Sequence, residues 1–225
     1  MTDTRVMPLK KMDSVTDRTI KAVRDLILNG HFQPGDRINE VELAASLEVS
    51  RARLREALKH CESEGLVKHV ANYGRFVPEF GAADTSELYE LREALEVMAT
   101  RLVVERATAE DIRAMRALLQ DTDSFLETVG DTHYPYDIDF HARIFELSRN
   151  KPLARSGQEV HWQLSLTLYR AACRPGRARL AYKEHLAILD AIEAGDLHAA
   201  GEAMRAHLHS SLDNVRSMNE SNFPE

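Results

Sequence analysis

Asp137 and His141 lie four residues apart in YDIDFHARIF, and two later histidines, His185 and His207, follow in YKEHLAIL and AMRAHLHSSL. Side chains four apart on a helix share a face. One carboxylate and three imidazoles make a donor set suited to a divalent transition metal, zinc first, with nickel and manganese as alternatives. A chain with ten histidines also produces an Asp-x-x-x-His pair by chance. Spacing alone therefore leaves open both a metal site and a set of ordinary core and surface histidines.

Arg92 is a second candidate. Leu88, Leu91, Leu95, Met98, Ala99, Leu102 and Val103 recur at helical spacing around it and mark an apolar arc in which it falls. A guanidinium on an inward face requires an anion, because burying it unpaired is costly. That anion is either Glu96 or another carboxylate of the chain, or the carboxylate of a small bound effector. Gln163, Arg170, Ser211 and Asn214 are further pocket candidates. His207 shares its helix face with Ala200, Ala203, Ser211 and Asn214, a small and polar surface of the kind that lines a cavity. His209 falls about 200° from His207 and points away. Trp162 and Tyr134 are expected to pack in the core.

A third group lies near the front of the chain. In RARLREALKHCESEG, stepping about 100° per residue from Arg51 puts Leu54, Ala57, Leu58 and Cys61 on one arc and Arg51, Arg55 and Lys59 in a stripe beside it. Such a helix suits insertion into a DNA major groove, although periodicity alone fits a solvated basic face equally well. Arg51 and Arg55 are candidates for bidentate contacts to guanine edges. Lys59, Lys68 and Arg75 are candidates for phosphate contacts.

The elements that must hold these groups are legible. A helix is expected from Val15 to Leu28, closed by Asn29-Gly30, then a turn at Pro34-Gly35. A short second helix in NEVELAASLE buries Val41, Leu43, Ala44 and Leu47. Ser50 caps the third helix and Gly65 ends it. LVKHVANYGRFVP then reads as two strands around Asn72-Tyr73-Gly74, with Lys68, His69 and Arg75 near phosphate height. From residue 84 the pattern is helical, with helices expected at 84–106, 109–129, 135–149, 152–173, 177–194 and 197–217, an antiparallel bundle. The fold class is mainly α: an N-terminal winged helix-turn-helix with a small β-wing, plus a C-terminal all-α bundle. The expected divisions are a flexible arm at 1–13, a DNA-binding domain at 14–78, a helical sensing domain at 79–217 and a disordered tail at 218–225.

Charge agrees with that division. The net charge is -7, but residues 1–78 carry 13 Lys and Arg against 11 Asp and Glu, while 79–225 carry 16 against 25. No apolar run approaches the roughly 18 residues of a membrane span, and the N-terminus has no apolar stretch after its charges. Cys61 and Cys173 stand far apart and outside any CxxC pair, so reduced thiols and a cytoplasmic location are expected.

The run LAASLEVSRARLREALKHCESEGLV, followed by a glycine-containing wing, resembles the winged helix-turn-helix of the GntR family of bacterial regulators over about residues 14–78. The resemblance implies that Ser50, Arg51, Arg53 and Arg55 face DNA, and that the wing around Asn72, Gly74 and Arg75 reaches the minor groove. Some members carry an arginine early in the second helix, where this chain has Val41. Further on, LYELREALE, DIDFHARIFELSRNKPL, EHLAILDAIEAGD and AMRAHL, in that order, resemble the FCD sensor domain that partners the FadR-type subfamily, over about residues 84–212. That resemblance implies that Asp137, His141, His185 and His207 hold a metal, and that Arg92 binds a small carboxylic acid whose other oxygens fill open metal positions. It further implies a homodimer on a pseudo-palindromic operator, with the acid releasing a repressor as the commoner outcome.

An enzyme on the bundle is the competing class. No Gly-rich phosphate loop, HExxH or ordered nucleophilic triad occurs, and no spare carboxylate is identifiable as a general base. A regulator for which the metal itself is the signal is the third reading.

Overall fold

The computed structural model describes residues 14–130, 140–172 and 174–222, with side chains for all of these except 129, 167–172 and 218–222. The chain divides into two compact units, Met1–Glu79 and Phe80–Glu225.

In the first unit, α1 (Val15–Leu28) starts at Ser14, whose hydroxyl accepts the Asp17 N–H while the Asp17 carboxylate accepts the Ser14 N–H. This reciprocal pairing satisfies two donors that a helix start leaves bare. Thr19, Val23 and Ile27 then recur every four residues and are buried. They lie on the helix that packs against α3 (Arg51–Ser63), which buries Leu54, Ala57, Leu58 and Cys61. A forked ion pair joins the two helices, with Arg24 Nε and Nη2 donating to Glu64 at 3.2 and 2.5 Å. Burial pushes the Cys61 thiol up to about 12, so it is a neutral packing group.

Between these helices, α2 (Glu40–Ser46) starts at Asn39, whose side chain accepts the Val41 and Glu42 N–H groups. It buries Leu43 and Ala44, while Val41 stands 57% exposed. Val41 does not join the apolar set expected of it, because it falls about 200° from Leu43 on a helix of two turns. The turn into α3 passes through Glu48 at φ +53°. The wing is a three-stranded antiparallel sheet in the order β1 (Arg37–Ile38), β3 (Gly74–Phe76), β2 (Lys68–Val70). The strand β1 is not foreseen from sequence, since two residues cannot show an alternation. It is defined only by its register, Arg37 opposite Phe76 and Ile38 opposite Arg75.

The second unit is helical throughout its described residues: α4 (Ala82–Arg106), α5 (Ala109–Val129), α6 (Phe140–Leu147), α7 (Lys151–Ala172), α8 (Arg177–Glu193) and α9 (Leu197–Asn222). Arg149, at φ +52°, follows the end of α6 two residues before the expected bound. Helix α9 continues to Asn222, where an end at 217 and a disordered tail were expected. No glycine or proline occurs between Gly201 and Pro224 to interrupt it. Phe140, Ile144, Met115, Leu119, Ile188, Leu189, Met204 and Leu208 form the core between these helices.

The inward face of α4 differs from the expected arc. Thr85, Tyr89, Arg92, Glu96, Ala99, Thr100 and Val103 are buried, whereas Leu91 and Met98 are 49% and 46% exposed. The helix is turned so that an ion pair faces the core and a leucine and a methionine face out.

Gly157 on α7 has a packing role. A Cβ added there would lie far inside contact distance of Cζ of buried Phe145. An interior helical glycine ordinarily loses about 1 kcal/mol to alanine, but overpacking a core costs about 1–3 kcal/mol. Gly157→Ala is therefore expected to lower stability in a denaturant titration, and a rise would show that the ring yields freely.

Candidate metal centre and DNA-reading surface

Three helices bring three histidines to one point. His141 follows the fully buried Phe140 on α6, His185 lies on the buried arc of α8 with Ala181, Ile188 and Leu189, and His207 lies on α9 between Met204 and Leu208. All three are buried, and a ring nitrogen from each lies within 4.8 Å of one from each of the others. The Phe140 ring stacks on His185 at a centroid distance of 4.4 Å and fixes its plane. Asp137 lies outside the described residues, as does Tyr134.

Two carboxylates orient two of the rings. Glu96 accepts from His141 Nδ1 at 2.5 Å, and Glu184 accepts from His207 Nδ1 at 2.7 Å. Burial opposes the charge on Glu96, but Arg92 and His141 outweigh it and hold the carboxyl far below its ordinary range. Burial likewise opposes the charge on Glu184, and His207, Ser210 and Arg177 overcome it. An ionised carboxylate can only accept, so the proton of each neutral ring sits on Nδ1 and the lone pair on Nε2. Burial pushes His207 down to about 4, despite the support of Glu184. Burial also lowers His185 well below its ordinary value, helped by the charges of His207 and His141.

The consequence is geometric. His141 Nε2 and His207 Nε2 face one another at 3.2 Å. Two lone pairs at that separation repel unless a proton or a cation lies between them. Two imidazoles on one ion, each about 2.0–2.1 Å from it, would stand roughly 2.9–3.4 Å apart for right-angled to tetrahedral bonding. The donor set therefore fits a divalent transition metal, with each orienting carboxylate in the place such sites use.

Arg92 is 5% exposed and donates from Nε to Glu96 Oε1 at 2.5 Å. Of the two anions left open by its position, the structure provides Glu96. The other oxygen of that carboxylate holds His141, so Arg92 stands one residue removed from the histidines. Its guanidinium carbon lies 5.6 Å from the Tyr89 ring centre, and the Tyr89 hydroxyl pairs with Ser211 at 2.8 Å. Ser211 is thus tied to the ring that Arg92 approaches. Gln163 is half-buried on α7 next to Leu164, which packs with Tyr89. Asn214 accepts from Arg174 at 3.1 Å, a turn further along α9. The side chain of Arg170 lies outside the described residues. His209 is exposed and bonded to Glu93.

Sequence reasoning missed Glu184 and saw Glu96 only as a partner for Arg92. A signal existed for Glu96, an opposite charge one turn from Arg92 on the inward side. None existed for Glu184, whose partners Arg177 and His207 come from two places in the chain.

In the first unit Arg51, Arg55 and Lys59 are all exposed on α3, beside the buried arc. Arg53 is half-buried, about 200° from Arg51, and does not share their stripe. The Ser50 hydroxyl accepts the Arg53 N–H at 3.3 Å as the helix cap. On the wing, Asn72 (φ +65°) and Gly74 (φ +108°) make the tight turn, Asn72 is exposed, and Tyr73 is 69% exposed at the tip. Lys68 and His69 are exposed on β2. Arg75, expected as a phosphate contact, is half-buried. It turns inward, and its Nη1 donates to Glu40 Oε1 at 2.5 Å. Glu40 Oε2 accepts from Arg55 Nε at 2.7 Å, and the Arg55 side chain remains 57% exposed. The hydrogen bond from Arg55, against some opposition from burial and with help from Arg75, holds the Glu40 carboxyl below its ordinary range.

Comparison with known proteins separates the same two segments. The family described as bacterial regulatory proteins, gntR family, matches residues 15–77, and the FCD domain matches residues 87–210. The Nta operon transcriptional regulator of Aminobacter aminovorans is 34% identical over 82% of this chain and 87% of its own length. The probable D-xylose utilization operon transcriptional repressor of Paenarthrobacter nicotinovorans is 27% identical over 89% of this chain and 92% of its own. Among solved structures, that of E. coli McbR/YncC covers 92% of this chain and all of its own at a TM-score of 0.80 and 22% identity, which shows a shared fold.

Proposed function

Since the chain belongs to the gntR family of bacterial regulatory proteins and carries an FCD domain, we propose that it is a repressor whose operator affinity is set by a small carboxylic acid bound at a metal site in its helical domain. It is a DNA-binding transcription regulator and not an enzyme, as its relatives are. The observation that carries the metal reading is the pair of inward-facing Nε2 atoms, each backed by a carboxylate. His141, His185 and His207 would hold the ion, with Asp137 as the fourth ligand from the same segment as His141. A divalent ion bound there would offer open coordination positions to a carboxylate.

The residues around it would do the rest. Arg92 would meet the effector's negative charge, with Ser211 and Tyr89 beside it and Gln163, Arg170 and Asn214 further out. The exposed stripe of Leu91 and Met98 on α4 supports a homodimer formed through the helical unit. A two-fold protein reads a pseudo-palindromic site, and an effector changes DNA affinity only by favouring one arrangement of the two heads. Such a protein works in the cytoplasm, and among the described residues no helix is long and apolar enough to cross a membrane.

A second reading is supported by the Arg92–Glu96 pair. Because Arg92 is already neutralised, the metal alone would be the signal. Thermal unfolding of zinc-loaded protein across a panel of mono- and dicarboxylic acids separates the two. Truncating Arg92 would strand Glu96 as a buried charge, at a cost of about 3–5 kcal/mol, so Arg92→Lys is the informative variant. It keeps the charge and loses the planar fork. An acid that raises the wild-type midpoint is expected to do so by less than half as much in Arg92→Lys. No response to any acid, together with metal-dependent DNA binding, favours the metal-only reading.

A further inference from the structure

The Glu40 carboxylate lies between two arginines from different elements, Arg55 on α3 and Arg75 on β3. These groups line a cleft of about 390 Å³ that Arg37 and Gly74 also border, and Glu40 is the carboxylate among the residues lining it. The cleft opens where the helix carrying Arg55 meets the wing. Glu40 itself is the first residue of α2, so its backbone is held by the Asn39 cap.

We propose that Glu40 is a positioning residue for base reading, clamping Arg55 so that its outer edge, and no other, is presented to DNA. A guanidinium offers two edges for forked hydrogen bonds, one made by Nε with a terminal nitrogen and one made by the two terminal nitrogens. In this protein Nε is spent on Glu40 at 2.7 Å. The terminal pair remains for the O6 and N7 atoms of a guanine, and the side chain approaches it already ordered. The second oxygen of Glu40 holds Arg75, so one carboxylate ties the reading helix and the wing to a common register. A single negative charge among three arginines also removes part of the attraction for any phosphate, and discrimination benefits when non-specific binding is weakened.

This inference rests on the DNA-binding reading and deepens it. The test measures binding of full-length wild type, Arg55→Ala, Glu40→Gln and Glu40→Asp to operator duplexes in which each position of a half-site is changed in turn, over a range of salt. Wild type is expected to require guanine at one position per half-site, and Arg55→Ala is expected to lose that requirement. Glu40→Gln should lose about tenfold of the preference at that position alone, since a good forked contact supplies roughly five- to 150-fold. It should also bind scrambled DNA more tightly, with a salt slope steeper by about one. Glu40→Asp keeps the charge but is too short to span both arginines. It should lose the preference without gaining affinity for scrambled DNA.

Uniform weakening at every position in both Glu40 variants would assign the residue a purely structural role and overturn the clamp. So would an unchanged guanine preference in either variant. If wild type itself fails to distinguish operator from scrambled DNA, the regulator reading and the clamp fall together.

Discussion

Arg51→Ala and Arg55→Ala are each expected to weaken operator binding by about 2–6 kcal/mol, because each lost base contact is worth roughly 1–3 kcal/mol and a dimer loses it in both half-sites. The loss should concentrate at individual base positions and exceed the loss on scrambled DNA, where only the charge is missed. Lys59→Ala, on the same exposed stripe, should behave differently. A phosphate contact carries no sequence information, so its removal lowers affinity uniformly and reduces the salt slope by about one per contact. Anisotropy titrations at two salt concentrations read both effects. Equal losses on operator and scrambled DNA for Arg55→Ala would remove that residue from base reading. The structure favours Arg51 and Arg55 over Arg53 for this role, since the first two are exposed and Arg53 is half-buried on the far flank.

The second large effect concerns the histidines. At a concentration about 100 times its dissociation constant, a metal bound only by the folded state adds about 2.7 kcal/mol of stability. For a chain of this length that corresponds to on the order of 5–10 °C in the unfolding midpoint. Wild type should show this rise with zinc and lose it on chelation. His207→Ala should show almost none of it, since it removes both a ligand and the partner of Glu184. His209→Ala is the control, an exposed neighbour two residues away that pairs with Glu93. Removing an orienting carboxylate should act more gently, and Glu184→Gln is expected to weaken zinc about 10–100-fold without abolishing binding. A zinc response that survives in His207→Ala would dismiss the site.

Patterns that repeat along one helix were readable in the sequence. The Val15–Leu28 and Arg51–Ser63 helices follow from apolar spacing and their end signals, and His207 sits on the face that its spacing with Ala200, Ala203, Ser211 and Asn214 marks as cavity-lining. What escaped depends on contacts between distant elements. The strand β1 exists only because β3 lies beside it. Helix α4 carries apolar residues on two flanks, and spacing that set Arg92 inward could not say that Leu91 and Met98 would face out. The partner of Glu96 is His141, which comes from another helix and takes its second oxygen. Arg75 looked like a free basic residue on a wing, but Glu40 lies 35 residues earlier and claims it. Long-range pairs of opposite charge leave no period in a sequence.

The most direct test of the account is the affinity of the full-length wild-type protein for the duplex upstream of its own gene, against a scrambled duplex of equal length and composition, at 150 mM salt by order of magnitude. A regulator reading DNA through the exposed edge of α3 is expected to prefer its own site by at least about 10³-fold, and to lose affinity steeply as salt rises. Equal affinity for the two duplexes, or no binding to either at low salt, would contradict it.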